Sequence, residues 1–355
     1  MQIRRLIRAH RRLIEADPAG EPIVRDEILA SFPTPDALTR ALALGFAVES
    51  EQELHSLDLR IVVLRIPARR STRAALNELR AAVPEATLDY DHIYLRGGEA
   101  PTAAPVSASQ MPPTTGAAPH SRIRVGLVDS GVNATEPAFR DSTVHPWGCG
   151  GTAQPGAHGT AVASLLVRRA RADLYAADVY CGQPTGGSVD AIVAALAWLA
   201  QNRVPVINIS LVGPKNLLLA QVVAALLARG YVIVAAVGND GPAAPPLYPA
   251  AYPQVVGVTA VDAERRVLLE AERGPQVTFA AQGAGLEAAN LRQGSTLVRG
   301  TSFAAPTVAA LFAARMSAPD PAAAAAALAA LIRRAVDLGP TGRDPIYGYG
   351  LLGAK

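Results

Sequence analysis

Apolar positions along the chain repeat with two periods, and the pattern changes character near residue 100. Before that point, alternating or short apolar runs predict strands over residues 21–29, 46–48, 59–66 and 86–95. Three- and four-residue spacing predicts helices over 36–44 and 71–82, the second with Ser71 as its cap and Pro84 just beyond its end. The resulting β-α-β-β-α-β order describes a small α+β, ferredoxin-like unit over residues 1–98. From Arg122 onward, apolar runs at Ile123–Val128, Asp173–Val179, Val206–Ser210, Val232–Val237 and Val255–Thr259 alternate with helical stretches at Thr160–Arg168, Val189–Gln201 and Leu217–Leu227. That alternation predicts an α/β unit over 122–355, a doubly wound, mostly parallel sheet with helices on both faces. The alanine-rich stretch Pro321–Leu331 is a helix by propensity.

Between the two units, residues 99–121 are rich in Pro, Ala, Ser and Thr and hold few large apolar side chains. Such a segment cannot bury enough surface to offset its ordering entropy, so it is expected to be a linker, exposed and cleavable. Half of the 355 residues are hydrophobic, enough for a sizeable core, while a net charge of +3 and 5% aromatic residues give no nucleic-acid footprint. The arginines of the first 13 residues are followed by Glu15, Asp17 and Glu21, which favours a solvated terminal helix over a membrane-bound one. No stretch reaches the roughly 18 apolar residues of a membrane span, and the first residues lack the roughly 7–15-residue apolar run of an export signal.

Chemistry concentrates in three short strings. Gly126–Gly131 carries Asp129, His158 is followed by Gly-Thr and an apolar helical run, and Gly300–Pro306 carries Ser302 at a helix start. A serine hydroxyl needs an imidazole to take its proton and a carboxylate to fix the imidazole's tautomer, and these three residues supply that set. The glycine spacing around Asp129 does not make a dinucleotide fingerprint and no Walker lysine is present, so cofactor readings are poor. Cys149 and Cys181 suit either a single disulfide or two free buried thiols, and their spacing does not suit zinc. His145 reads as structural.

The three strings in the order Asp, His, Ser resemble the subtilisin-like serine peptidases, the subtilases, and the likeness extends over about 124–352. It implies a subtilisin-like fold and an acyl-enzyme mechanism, with Ser302 as nucleophile, His158 as base and Asp129 orienting it. Val206–Leu211 is similar to the family's substrate-edge strand and Ala235–Gly241 to its oxyanion segment. The resemblance therefore implies Asn239 as oxyanion donor, and Ser210, Leu211, Val212, Gly213, Ala236 and Gly238 as substrate-binding residues. Residues 21–96 look like the family's N-terminal inhibitory prodomain, with Asp89–Leu95 as the tail that lies in the cleft.

The chain departs from the family at Ala157 and Ala161, neither of which does chemistry, and at Val212, where glycine usually lines the primary pocket. Val212 narrows that pocket and predicts small P1 side chains. Protein or peptide substrates are implied, with no cofactor and no metal ligands; no paired acidic loop points to calcium, which stays open. Two other readings stand beside latent endopeptidase: a peptide-binding regulatory module whose cleft the first unit holds, and an acyl transferase of the peptide-ligase type. An inhibitory prodomain and the disulfide reading of the two cysteines favour a periplasmic or secreted protein, while the lack of an export signal in the sequence favours the cytoplasm as the alternative.

Overall fold

The structure, a computed structural model, describes residues 2–96, 122–168, 170–292 and 294–353. The linker expected over 99–121 lies outside the described residues.

The N-terminal unit contains α1 (Gln2–Ala9), β1 (Ile14–Ala16), β2 (Pro22–Ser31), α2 (Pro35–Ala43), β3 (Ala47–Leu54), β4 (Leu59–Arg65), α3 (Thr72–Ala82) and β5 (Thr87–His92). Its antiparallel sheet runs β3-β4-β2-β5, with β1 paired to the start of β2. Each longer helix is set by its cap: Thr34 accepts from Ala37 N ahead of Pro35, and Ser71 accepts from Ala74 N. One face of the sheet packs Ile28, Val62, Leu64 and Leu88 against Leu76 and Leu79 of α3.

The other face of that sheet is buried as well. Leu29, Leu54, Ile61 and Val63 join a cluster with Ile192, Leu196, Leu219 and Val223 of the second unit. This explains the unbroken apolar run in β4, which alternation alone does not account for: every residue from Ile61 to Leu64 is buried, on alternate faces, against different units. The strand expected over 86–95 is split. It ends at His92, and Leu95–Arg96 forms β6, which pairs with the second unit.

The second unit continues with β7 (Ile123–Asp129), β8 (Thr143–Trp147), α4 (Ala157–Val167), β9 (Ala172–Asp178), α5 (Val189–Gln201), β10 (Val206–Ile209), β11 (Leu211–Val212), α6 (Leu217–Ala228), β12 (Val232–Ala236) and β13 (Val256–Val261). It is completed by β14 (Val277–Gln282), the hairpin β15 (Ala284–Ala289) and β16 (Ser295–Arg299), α7 (Thr301–Ala313), α8 (Pro321–Arg334) and β17 (Leu351–Leu352). The main sheet runs β17-β14-β13-β12-β10-β7-β9-β8, and all of its pairings are parallel. Helices α4 and α7 share the core on one face, and α5 and α6 share the core on the other. Asp129 ends β7, Ser210 follows β10 and Asn239 lies just past β12, so all three reach the carboxyl-terminal edge of the sheet, where open α/β sheets build their sites.

Candidate functional site

Strand β7 delivers Asp129 to the sheet edge fully buried, and α4 begins opposite it with His158 in its first turn. His158 Nδ1 lies 2.9 Å from each carboxylate oxygen of Asp129. The Ser130 backbone N–H and hydroxyl also donate to Asp129 Oδ1, at 2.7 and 3.2 Å, so the carboxylate is held as an acceptor. With Nδ1–H directed at Asp129, the imidazole presents Nε2 as its basic nitrogen, and that atom is buried without a hydrogen-bond partner among the described residues.

Ser302 sits in the first turn of α7, a helix buried on nearly every side, and is itself fully buried. Its Oγ donates to the backbone carbonyl of Ser210 at 3.2 Å rather than to His158. Ser210 Oγ in turn donates to Ser302 O at 3.0 Å and accepts from Asn208 Nδ2 at 2.9 Å, which locks the two segments together. The imidazole and the Asp129 carboxylate are thus held together, while the Ser302 hydroxyl needs a rotamer change to face the imidazole. His158 and Phe303 rings lie 5.3 Å apart, which places α4's first turn against the start of α7.

The turn after β12 faces the same helix start. Asn239 Oδ1 accepts from Thr301 N at 3.0 Å, and Gly238 N donates to Thr301 Oγ1 at 3.3 Å. The amide oxygen of Asn239 is thereby fixed, which orients its NH₂ end as a donor. Ala236 closes β12 and is buried.

The Ser210–Gly213 edge is occupied by the chain's own N-terminal tail. Leu95 and Arg96 pair antiparallel with Val212 and Leu211, and Ile93 bridges antiparallel to Ser188 on the other side. Tyr94 between them is fully buried: its N–H donates to Gly187 O at 2.8 Å, its hydroxyl to Pro214 O at 2.5 Å, and its carbonyl accepts from Tyr180 Oη at 3.0 Å. A side chain at Gly213 would place Cβ 2.7 Å from the Tyr94 ring, so glycine is what admits the aromatic there. Arg96 lies over the Tyr180 ring, 4.9 Å from its centroid.

Strand β5 adds two further ties. Asp89 and Asp91 project to one face at strand period and cap helices of the second unit: Asp89 Oδ2 accepts from Leu217 N at 2.8 Å and Asp91 Oδ1 from Asp190 N at 3.1 Å. Burial, with the nearby Asp190 and Glu27 carboxylates, pushes the Asp91 carboxyl well above its ordinary range.

Cys149 and Cys181 form a disulfide with Cα atoms 5.2 Å apart. With Asp178 they are the grouping of metal-type ligands found among the described residues, and sulfurs engaged in a disulfide do not act as thiolate ligands. His145 stacks on Tyr175 at 4.5 Å, a packing role.

Sequence reasoning missed Tyr94 as an anchor, Tyr180 as its partner and Glu272. The signal for Tyr94 was its place in the tail; for Glu272 none existed, since it falls in an irregular segment between β13 and β14. Glu272 is fully buried behind Gly238, and burial, reinforced by Asp240, raises its carboxyl to about 8 against backbone amides that favour ionisation. An acid whose folded value lies above its unfolded value near 4.5 stabilises fully below that value, and the contribution is lost as pH rises to about 8. In a Ser302→Ala background, Glu272→Gln is therefore expected to remove a pH-dependent loss of stability on the order of 3 kcal/mol between pH 5 and 8, read by thermal melts at the two pH values.

Comparison with known proteins gives a consistent set of relatives. A profile described as the Subtilase family matches residues 120–350. The minor extracellular protease Epr of Bacillus subtilis (strain 168) is 33% identical over 210 residues, 56% of this chain and 32% of that protein. Subtilisin E of the same organism is 28% identical over 264 residues, 66% of each chain. Fervidolysin from Fervidobacterium pennivorans, described as a keratinolytic enzyme related to subtilisin, superposes with a TM-score of 0.77 at 18% identity over 96% of this chain and 61% of that one. The prenylagaramide maturation protease PagA gives a TM-score of 0.57 at 23% identity over 65% of this chain and 90% of that one. The chain thus spans about a third of Epr and under two thirds of fervidolysin.

Proposed function

Because the chain belongs to the subtilase family, we propose that it is a serine endopeptidase held latent by its own N-terminal unit, residues 1–98, acting as an inhibitory prodomain. The observation that carries the latency is the tail: Tyr94–Arg96 occupies the Ser210–Gly213 edge as an added strand, the way an extended peptide would bind.

In the proposed reaction, Ser302 Oγ turns from the Ser210 carbonyl to His158 Nε2 and attacks the scissile carbonyl carbon as the imidazole takes its proton. The negative charge that develops on the carbonyl oxygen is met by the Asn239 side-chain amide and the Ser302 backbone N–H. Asp129, already hydrogen-bonded to Nδ1, holds the tautomer and supports the imidazolium. His158 then protonates the leaving amine as the C–N bond breaks, which leaves an ester on Ser302. Water, deprotonated by the same imidazole, hydrolyses that ester and restores the hydroxyl. No cofactor enters this sequence.

Protein or peptide substrates follow from the family, and the word extracellular in the name of Epr supports secretion. Among the described residues no helix is long and apolar enough to cross a membrane. Covalent labelling by a serine-directed phosphonate, after the chain has processed itself, tests the reading: a single adduct on Ser302, lost when a preformed His158→Ala chain is treated alike, accompanied by hydrolysis of a mixed peptide library, is expected. A labelled protein that joins peptides to amines instead of hydrolysing them would favour the acyl-transferase reading, and absence of both label and cleavage the binding-module reading.

A further inference from the structure

The turn carrying Asn239 is braced from behind by a carboxylic acid that the proposed reaction does not use. Its front is tied to α7 through Thr301, as described. Behind it, Glu272 N donates to Gly238 O at 3.2 Å and Gly241 N donates to Glu270 O at 2.9 Å. The Glu272 side chain then folds under the turn, where Oε2 accepts from Leu247 N at 3.3 Å and Oε1 is buried without a hydrogen-bond partner among the described residues. Gly238 has a φ of +120°, and a Cβ built there would lie 2.2 Å from Glu272 Oε1. The Asp240 backbone amide also favours the ionised carboxyl, and only a residue without a side chain at position 238 leaves room for it.

We propose that Glu272 is a positioning residue for the oxyanion turn: packed against the Gly238 α-carbon and bonded to Leu247 N, it sets where the Asn239 amide stands relative to Ser302. The inference rests on the peptidase reading above. A donor serves a developing oxyanion only if it is already in place when the charge forms, because rearranging it during the reaction consumes the stabilisation it gives. Removing the Glu272 side chain opens a void directly behind a glycine turn, the kind of backbone most free to move into it.

The charge state matters for the same reason. Burial keeps the acid uncharged until about pH 8. Among the described residues the charge that acts on it is Asp240 on the turn; Arg273 follows it in the chain, and Glu270, two residues before it, is paired with Arg299 at 2.6 Å. Ionisation of Glu272 therefore adds an anion behind the very donor that must stabilise another anion, with Asp240 of the same sign beside it.

The test uses the full chain after it has processed itself, assayed on a peptide anilide across pH. Glu272→Ala is expected to lower kcat on the order of 10- to 100-fold with KM within about twofold. Glu272→Gln, which keeps the shape and can still accept from Leu247 N, should restore most of kcat and lack the fall in kcat expected of the unsubstituted chain above about pH 8. In an Asn239→Ala background, Glu272→Ala should cost less than threefold more, since the donor it positions is gone. If Glu272→Ala does not fold, the Gln variant decides: an alkaline fall identical to that of the unsubstituted chain overturns the inference. A KM effect without a kcat effect, or full additivity with Asn239→Ala, also overturns it and leaves the peptidase reading standing. No turnover by the unsubstituted chain overturns both.

Discussion

Substituting His158 by Ala is expected to lower kcat for peptide hydrolysis on the order of 10⁴- to 10⁶-fold while the protein stays folded. The size of the effect follows from the geometry of the base. Nε2 is buried without a hydrogen-bond partner among the described residues and Nδ1 is held by both oxygens of Asp129, so among those residues no second group stands ready to take the serine proton. The Ser302 hydroxyl, which rests against the Ser210 carbonyl, would gain nothing by turning. Stability should change little by comparison, because Asp129 keeps the two donors from Ser130 when the imidazole is gone. Single-turnover kinetics with a chromogenic peptide, read beside a melting curve, checks both parts. A loss below about tenfold would mean that His158 is not the base.

Tyr94→Ala is expected to release the tail from the cleft. The side chain is fully buried, its ring lies against Gly213 and its hydroxyl is bonded to Pro214 O, so truncation removes a large apolar contact and a hydrogen bond together. Large-to-small changes at such sites cost about 3–5 kcal/mol, and at about 1.4 kcal/mol per factor of ten that is on the order of 10²- to 10⁴-fold in the equilibrium between closed and open tail. The measurement is amide hydrogen exchange of Leu211 and Val212, the residues that pair with the tail, in the full-length Ser302→Ala chain, with and without Tyr94→Ala. Protection that does not change would show that the tail is held by Asp89 and Asp91 at the helix starts rather than by its aromatic anchor.

Much of the site is written locally. Asp129, His158 and Ser302 each lie at a boundary between elements, within a short string that carries glycine beside serine or threonine. The two cysteines allowed a disulfide on their number alone, and the structure pairs them. What the sequence did not reveal depends on partners distant in the chain. The β4 run reads as one strand whichever faces it buries, and only the docking of the first unit on α5 and α6 explains why both are apolar. Leu95 continues the pattern of β5, yet it leaves that sheet because Leu211–Val212 offers an unpaired edge. Strands β8, β14 and β17 were not anticipated; His145 and Pro146 interrupt the first, and the last is two residues long, so neither has a usable period. The terminal helix came out exposed along its arginines, with Leu6 and Ile7 packed on Ile14, Val24 and Ile93. Glu272 carries no periodic or motif signal, because its meaning comes from Gly238, a residue 34 positions earlier that leaves room for it.

The most direct test of a latent, self-processing peptidase is intact mass over time for the purified full chain beside its Ser302→Ala variant. Loss of an N-terminal fragment ending between Arg96 and Arg122, seen in the unsubstituted chain and absent from the variant, is the expected result, since Leu95 and Arg96 pair with the cleft edge and the stretch expected to be a cleavable linker follows in the sequence. A chain that keeps its full mass in both forms, with no cleavage of added peptides, would contradict the account and leave the N-terminal unit as a permanent occupant of the cleft.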